Sequence, residues 1–243
     1  MWGVRVFLMK NLILFAVLVT LPLLLGGCGE REVVTEFRNG IMYIKDSDAL
    51  YTGKDSVFYD NGQKKFEVNY KDGKAEGLNV EWYKNGKKKH EVNHKDGKRD
   101  GLKVVWHENG QKSWEGNYKG GKEVGLWVWW HENGQKIRQG NFKDGKEDGL
   151  ALQWHENGLK LGKGNYKDGK ADGLWVLWHE NGQKKSEGKF KDGKPDGLGV
   201  EWYENGKKRM ETNWKEGKLV EGSEKFWNSK GEEVNSLEEA EAE

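Results

Sequence analysis

Hydrophobic and polar positions repeat along residues 53–220 with a period of 24 residues, and seven consecutive units fit the pattern. Each unit opens with a short limb rich in Trp and Val, turns at an Asn-Gly pair, and returns through a second limb to a glycine that usually follows Asp. Short limbs of this composition between turn residues are typical of β-strands. The period predicts a repeat array in which each unit is one β-hairpin. Units 1–7 begin at Gly53, Gly77, Gly101, Gly125, Gly149, Gly173 and Gly197.

The Asn-Gly turn allows two loop lengths, which place different side chains on one face of the sheet. In unit 4, a two-residue loop places Leu126 and Trp130 on the same face as Asn141, whereas a three-residue loop over residues 132–134 places them with Phe142. We predict the three-residue loop because it collects a ring in every unit. The rings of that column are Tyr70, His94, Tyr118, Phe142, Tyr166, Phe190 and Trp214.

This choice predicts one aromatic face and one face of Lys, Gln, Asn and Glu. We expect the aromatic face to supply most of the core, because a one-residue slip would expose every indole to water. A single sheet layer leaves part of such a face uncovered, and exposed aromatic patches mark interaction surfaces. We therefore predict that the central rings bind a protein partner or a second copy of the chain. These rings are Trp106, Trp130, Trp154, Trp178, Tyr118, Phe142 and Tyr166.

The first residues are of another kind. Arg5 and Lys10 precede an almost wholly apolar run over residues 11–25, and the pattern is typical of a secretory signal peptide. The alternative, a membrane-spanning helix, needs about 20 apolar residues, which is more than this run contains. Residues 25–28, Leu-Gly-Gly-Cys, resemble a bacterial lipobox, which implies cleavage before Cys28 and acylation of this sole cysteine. The product would be anchored to a membrane by lipid.

The repeat consensus, G-L-W-x-x-W-[YH]-E-N-G-Q-K-x-x-x-G-N-Y-K-D-G-K-x-D, resembles the MORN-repeat variant of bacterial proteins, some of which are labelled antitoxins of toxin–antitoxin systems. The resemblance implies an all-β fold, namely an elongated single-layer antiparallel sheet of tandem 24-residue hairpins, here preceded by the signal peptide. The predicted organisation is a signal peptide at 1–27, a linker at 28–36, a degenerate N-terminal capping unit at 37–50, seven repeats at 51–220, a C-terminal capping half-repeat at 221–231 and an acidic disordered tail at 232–243.

Histidine recurs in one column of the array, at His107, His131, His155 and His179, which raises the question of a metal site. Tyrosine fills the same column in other units, and equivalent positions lie about 9–10 Å apart, too far to share a zinc ion. The Asp-Gly turns offer two carboxylates each, whereas calcium takes six to eight oxygens. No nucleophile motif is present. We expect a protein that is not an enzyme and uses no metal or cofactor.

Charge favours a protein partner over nucleic acid. Residues 53–220 carry 34 Lys and Arg against 27 Asp and Glu, an excess of +7, but the two signs alternate instead of clustering. The sequence thus predicts an exported, lipid-anchored scaffold of the bacterial cell envelope, on the outer or the cytoplasmic membrane. Two alternatives stay open: an antitoxin or immunity-like protein that neutralises a toxin, and a cell-wall glycan-binding protein.

Overall fold

The computed structural model describes residues 33–242. The predicted signal peptide and the acylation site Cys28 lie outside these residues. Within 33–242, no helix is both long enough and apolar enough to cross a membrane. The described chain is a small two-stranded sheet, a large antiparallel sheet and one short helix, in that order.

The strands are β1 (Thr35–Arg38), β2 (Ile41–Ile44), β3 (Gly53–Phe58), β4 (Lys64–Lys71), β5 (Lys74–Ala75), β6 (Gly77–Trp82), β7 (Lys88–Lys95), β8 (Lys98–Trp106), β9 (Lys112–Lys119), β10 (Lys122–Trp130), β11 (Lys136–Lys143), β12 (Lys146–Trp154), β13 (Lys160–Lys167), β14 (Lys170–Ala171), β15 (Gly173–Trp178), β16 (Lys184–Lys191), β17 (Lys194–Trp202), β18 (Lys208–Lys215), β19 (Lys218–Leu219), β20 (Lys225–Trp227) and β21 (Glu233–Val234). The helix is α1 (Leu237–Glu241).

The large sheet runs from β3 to β21 in chain order. Each long strand pairs antiparallel with the next, and the short strands β5, β14 and β19 pair with the strand before them, beside the turn. No ladder joins β3 to β21 in the described part of the chain, so the sheet is open. The predicted all-β fold of tandem hairpins in one antiparallel sheet is confirmed.

The Asn-Gly turn has the predicted three-residue loop. In unit 4, the backbone N–H of Gly134 donates to the carbonyl of His131 at 2.9 Å, and the N–H of His131 donates to the carbonyl of Gln135 at 2.8 Å. Gly134 has a φ of 83°, a left-handed conformation that a residue with a Cβ adopts only at a cost of about 1–2 kcal/mol. The recurrence of glycine at this position follows from that conformation.

A β-bulge directly after this loop changes which side chains share a face. Trp130 pairs with Lys136, but Trp129 pairs with Arg138, so Ile137 is an extra residue in the second limb. The same shift occurs in every other unit of the array. Because side chains alternate with a period of two, one extra residue moves the rest of the second limb to the opposite face.

The prediction that the Trp130 and Phe142 columns share a face is therefore wrong. Leu126 pairs with Asn141, and Gly125 pairs with Phe142, which is the arrangement expected for the rejected two-residue loop. The turn was identified correctly, but the bulge cancels its effect on the register.

We call one side of the sheet the tryptophan face and the other the variable face. The tryptophan face carries a leucine column (Leu78, Leu102, Leu126, Leu150, Leu174, Leu198), a mostly valine column that includes Val80, Val104, Val128, Val176 and Val200, and a tryptophan column (Trp82, Trp106, Trp130, Trp154, Trp178, Trp202). The variable face carries the ring column that ends each second limb, together with a central first-limb column of differing residues, Asp55, Asn79, Lys103, Trp127, Ala151, Trp175 and Gly199.

The buried side chains are divided between the two faces. On the tryptophan face, the buried residues are valines, such as Val104 and Val128. On the variable face, Val68, Tyr118 and Trp127 are buried. The sheet therefore has two thin apolar layers and no polar face of the kind expected from the sequence.

Strands β1 and β2 form a hairpin that precedes the large sheet. The N–H of Met42 donates to the carbonyl of Gly73 at 2.8 Å, and the N–H of Tyr51 donates to the carbonyl of Met42 at 3.0 Å. These bonds attach the hairpin to the first Asp-Gly turn, at the end of the array where no preceding unit exists.

The C-terminal residues differ from the disordered tail expected from Glu232. Strand β21 pairs with β20, and α1 follows with Ser236 as its N-cap. The buried Ala240 accepts a hydrogen bond at its carbonyl from the Tyr203 hydroxyl at 3.1 Å, and Arg209 pairs with Glu241 at 2.5 Å. A hydrogen bond to a backbone carbonyl and an ion pair thus connect this acidic segment to unit 7.

Candidate interaction surface

The structure divides the seven predicted partner-binding residues between the two faces. Trp106, Trp130, Trp154 and Trp178 lie in one column of the tryptophan face. Tyr118, Phe142 and Tyr166 lie in the ring column of the variable face. The seven residues therefore do not form one surface.

A lysine of the preceding unit covers most indoles of the tryptophan column. The Lys112 ammonium lies 5.8 Å from the centre of the Trp130 ring, and the Glu115 carboxylate holds that ammonium at 2.6 Å. Lys88 and Glu91 make the same arrangement in unit 2. Cation–π contacts of this kind contribute about 0.5–1 kcal/mol at exposed sites. The tryptophans are consequently half-buried parts of a repeated Glu–Lys–Trp stack.

The stack is interrupted in front of Trp178. Unit 5 carries Lys163 where unit 4 has Gln139 and the remaining units have glutamate, and in the described residues neither Lys160 nor Lys163 forms an ion pair. A depression of about 320 Å³ opens here, with Leu174, Val176 and Trp178 among its lining residues. Trp178, one of the four tryptophans predicted to bind a partner, borders this depression.

The leucine column was not among the predicted site residues, although it is the most exposed apolar feature of this face. Its six members are 36–50% exposed, and Leu174 is the most exposed of them. Each leucine stands opposite a polar residue of the second limb, as Leu126 stands opposite Asn141. Recurrence of leucine beside a small polar residue, instead of beside another apolar side chain, is the sequence signal that would have indicated exposure.

On the variable face, the predicted rings are packed against the indole of Trp127 or Trp175. Trp127 is 4% exposed and contacts Tyr118 edge-on at a centroid distance of 5.1 Å and Phe142 at 5.5 Å. Tyr166 packs edge-on against Trp175 at 5.1 Å. Burial raises the pKa of both tyrosines above its ordinary value. These rings belong to the core.

Glycine makes room for the two indoles. A Cβ on Gly116 would lie 2.1 Å from Cδ2 of Trp127, and a Cβ on Gly164 would lie 2.1 Å from Cδ2 of Trp175. Both glycines stand directly opposite the indole that covers them. The absence of a side chain at these two positions therefore allows each indole to lie flat on the backbone.

The column of His and Tyr has a role that was missed in the sequence. The Nε2 atom of His107 lies 3.0 Å from the carbonyl oxygen of Trp130, and the Tyr83 hydroxyl donates to the carbonyl of Trp106 at 2.7 Å. Both ring types carry a polar atom at their far end, which reaches the next unit along the sheet. The restriction of the column to these two residue types was the available signal.

The asparagine before each turn glycine forms hydrogen bonds that connect successive turns. Asn109 accepts a hydrogen bond from the N–H of Gln111 at 2.9 Å and donates to the carbonyl of Glu132, one unit further on, at 2.7 Å. The recurrence of Asn before the turn glycine thus reflects contacts within and between units. Residues 33–242 contain no group of three or more His, Cys, Asp or Glu side chains that could hold a metal ion.

Comparison with known proteins identifies the repeat. Five segments match the MORN repeat variant family, at residues 51–72, 75–96, 123–144, 171–192 and 195–216. No curated protein matches the chain. Each matched segment covers one complete hairpin, and the unmatched units between them have the same strands and the same bulge. Five of the seven hairpins of the array are therefore similar in sequence to the MORN repeat variant.

Proposed function

We propose that this chain is a non-enzymatic scaffold, anchored to the bacterial envelope by a lipid on Cys28, that binds an acidic protein through its tryptophan face. The observation that carries the proposal is the exposed leucine column. Six leucines stand two strands apart, about 9–10 Å, so the column extends for about 48 Å. A continuous exposed apolar row of this length is typical of a protein-binding surface.

The surface has a centre at unit 6. Leu174, Val176 and Trp178 border the depression in the tryptophan face, and here the lysine cover is missing. A partner side chain placed in the depression would contact an indole, the side chain most enriched at binding hot spots. The remaining leucines would extend the contact along the sheet.

Charge indicates the chemistry of the partner. Lys163 lines the depression, and in the described residues neither Lys163 nor Lys160 is paired with a carboxylate. In units 2, 3 and 6, a glutamate neutralises the lysine equivalent to Lys160. The array as a whole carries 34 basic and 27 acidic residues. An apolar ridge flanked by Asp or Glu complements this surface in both shape and charge.

The lipid anchor is supported by the sequence of the first 28 residues, in which Leu-Gly-Gly-Cys follows an apolar run. A scaffold tethered in this way presents its sheet at a membrane surface. Its partner is then a protein of the same compartment, either soluble or embedded in the same membrane.

Site-specific photo-crosslinking in intact cells tests the proposal. We would place p-benzoylphenylalanine at Leu174 and, as a control, at Leu159, a leucine that is 45% exposed but lies in a turn. We expect an adduct with an acidic protein from position 174 and none from position 159. Lys160→Glu together with Lys163→Glu should abolish the adduct, because the reversed charges repel an acidic partner.

Three outcomes contradict the proposal. Equal adducts from both positions would mean that the leucine column is not a binding surface. An adduct that persists after the charge reversal would exclude recognition by charge. An adduct between two copies of this chain would replace the acidic partner by self-association.

A further inference from the structure

A pocket of about 340 Å³ lies on the variable face, between the N-terminal hairpin and units 1–3. Phe37, Phe66, Val68 and Val92 supply apolar parts of its lining. In unit 4 the same row is filled by Trp127, whereas unit 3 has Lys103 in that column. The pocket exists at the end of the array where no indole covers the row.

Two basic side chains line the pocket without a carboxylate partner. The Arg99 guanidinium lies 5.3 Å from the centre of the Tyr118 ring, and the Lys103 ammonium lies 5.0 Å from that of Trp114. In the described chain, neither takes part in an ion pair. Other arginines of the array differ in this respect, since Arg138 pairs with Glu147.

The nearby carboxylate of Glu81 is already engaged. One of its oxygens accepts from Lys89 Nζ at 2.8 Å, and the other lies 3.2 Å from Nδ1 of His90. The charges of Arg99 and Lys103 therefore remain without a bonded carboxylate at the pocket.

Burial and mutual repulsion act on this cluster. Burial, reinforced by the charge of Arg99, lowers the pKa values of Lys103 and His94. Burial also lowers the pKa of His90, against the opposing effect of Glu81. Charged groups that are partly desolvated and unpaired are costly to the fold, and a bound anion offsets that cost.

Asn79 adds a polar contact at the same place. Its side-chain nitrogen lies 3.0 Å from Nδ1 of His94, and Asn79 itself is buried. Because the amide nitrogen can only donate, Nδ1 is the acceptor, and the neutral imidazole carries its hydrogen on Nε2. His94 is thereby held as a hydrogen-bond donor beside the two cations.

From this arrangement we infer that the pocket binds a small organic anion whose carboxylate meets Arg99 and Lys103 and whose apolar or aromatic body packs on Phe37, Phe66 and Val92. The planar guanidinium favours a carboxylate, which it can bind through two parallel hydrogen bonds. A pocket of this size, lined about equally by polar and apolar surface, suits a compact ligand that has both an anionic and an apolar part. The site is separate from the leucine column because it lies on the other face of the sheet.

Fluorine NMR titration tests the inference with two probes of matched shape, 4-(trifluoromethyl)benzoate and 4-(trifluoromethyl)benzamide. We expect saturable binding of the benzoate at millimolar concentrations and binding at least about tenfold weaker for the uncharged amide, since a hydrogen bond to a charged group is lost. Lys103→Met keeps the length of the side chain, removes its charge, and should weaken the benzoate by a similar factor.

Two further variants make the result specific. Lys191→Met removes an exposed lysine of unit 6 and should leave the benzoate affinity unchanged. Phe37→Ala changes an exposed wall residue and should weaken both probes alike, with thermal unfolding confirming that the variant is folded. Equal affinity for the two probes, an unchanged benzoate affinity in Lys103→Met, or no saturable binding would each overturn the inference.

Discussion

Two glycines in the same column of the sheet are predicted to respond in opposite ways to a single added methyl group. Gly116 lies under the Trp127 indole, where a Cβ would approach Cδ2 to 2.1 Å. Gly140, one unit later, offers more space, because the nearest atom to its Cβ would be Oε1 of Glu147 at 3.2 Å, the end of a flexible side chain. We expect Gly116→Ala to be destabilising and Gly140→Ala to be nearly neutral.

The magnitude follows from the packing around the indole. Carbon atoms in ordinary contact are about 3.5–4.0 Å apart, so the indole must move by more than about 1 Å. Overpacking of a core costs about 1–3 kcal/mol, and displacement weakens ring contacts worth about 0.5–1.5 kcal/mol each, such as those with Trp114 and Tyr118. We expect a loss of about 2–4 kcal/mol for Gly116→Ala. For Gly140→Ala, reduced freedom of the unfolded chain offsets any strain by about 0.4–1 kcal/mol.

Urea unfolding followed by tryptophan fluorescence and circular dichroism measures both variants. A double-mutant cycle supplies the control: Gly116→Ala should cost less when Trp127 is already Leu, because the clash is then absent. Equal effects of the two glycine substitutions, or a harmless Gly116→Ala, would refute the observed register, in which Gly116 lies under the Trp127 indole.

Three further predictions concern the anchor, the repeat and the pH dependence. Cys28→Ser should leave a full-length precursor that takes up no labelled palmitate, and normal labelling would end the lipoprotein proposal. Deleting residues 125–148 should lower the unfolding temperature modestly, because neighbouring hairpins can pair again. Deleting residues 125–136 alone should abolish cooperative unfolding by circular dichroism. Burial, with a contribution from Asp55, raises the pKa of Tyr70 to about 12 from 10.0. Because the unfolded chain loses the Tyr70 proton near pH 10 and the folded chain only near pH 12, the contribution of protonated Tyr70 to the unfolding free energy is complete below about pH 10 and lost towards about pH 12. Tyr70→Phe should therefore flatten the fall in unfolding free energy between these two pH values.

The sequence was sufficient for the features that the turn glycines determine. The hairpins, the three-residue loop at Asn133-Gly134 and the order of strands all follow from turn glycines at fixed spacing. The bulge at Ile137 could not be predicted, because the side chain of Ile137 does not show whether the residue is paired or is an extra residue in the strand. As a result, the faces were assigned incorrectly although the turn was right.

Features that occur only once in the chain could not be predicted from the alignment of the repeats. The pocket arises where Lys103 stands in the column that holds Trp127 one unit later, which becomes visible only when the true register is known. Helix α1 is held by single contacts from Tyr203 to Ala240 and from Arg209 to Glu241, residues that lie 37 and 32 positions apart in the chain. Such contacts leave no periodic signal.

The hydrogen bonds between successive turns do not depend on the residues that vary from unit to unit. The bonds from His107 and Asn109 to the next unit involve backbone carbonyls, so they are indifferent to the side chains of the variable face. Units that carry Lys103, Trp127 or Ala151 in the central column can thus follow one another without loss of these bonds, provided that the preceding unit leaves room for the central side chain, as Gly116 does for Trp127. The order of the units therefore determines the surface chemistry of the array. Reordering the same units can create or remove a pocket while the fold stays the same.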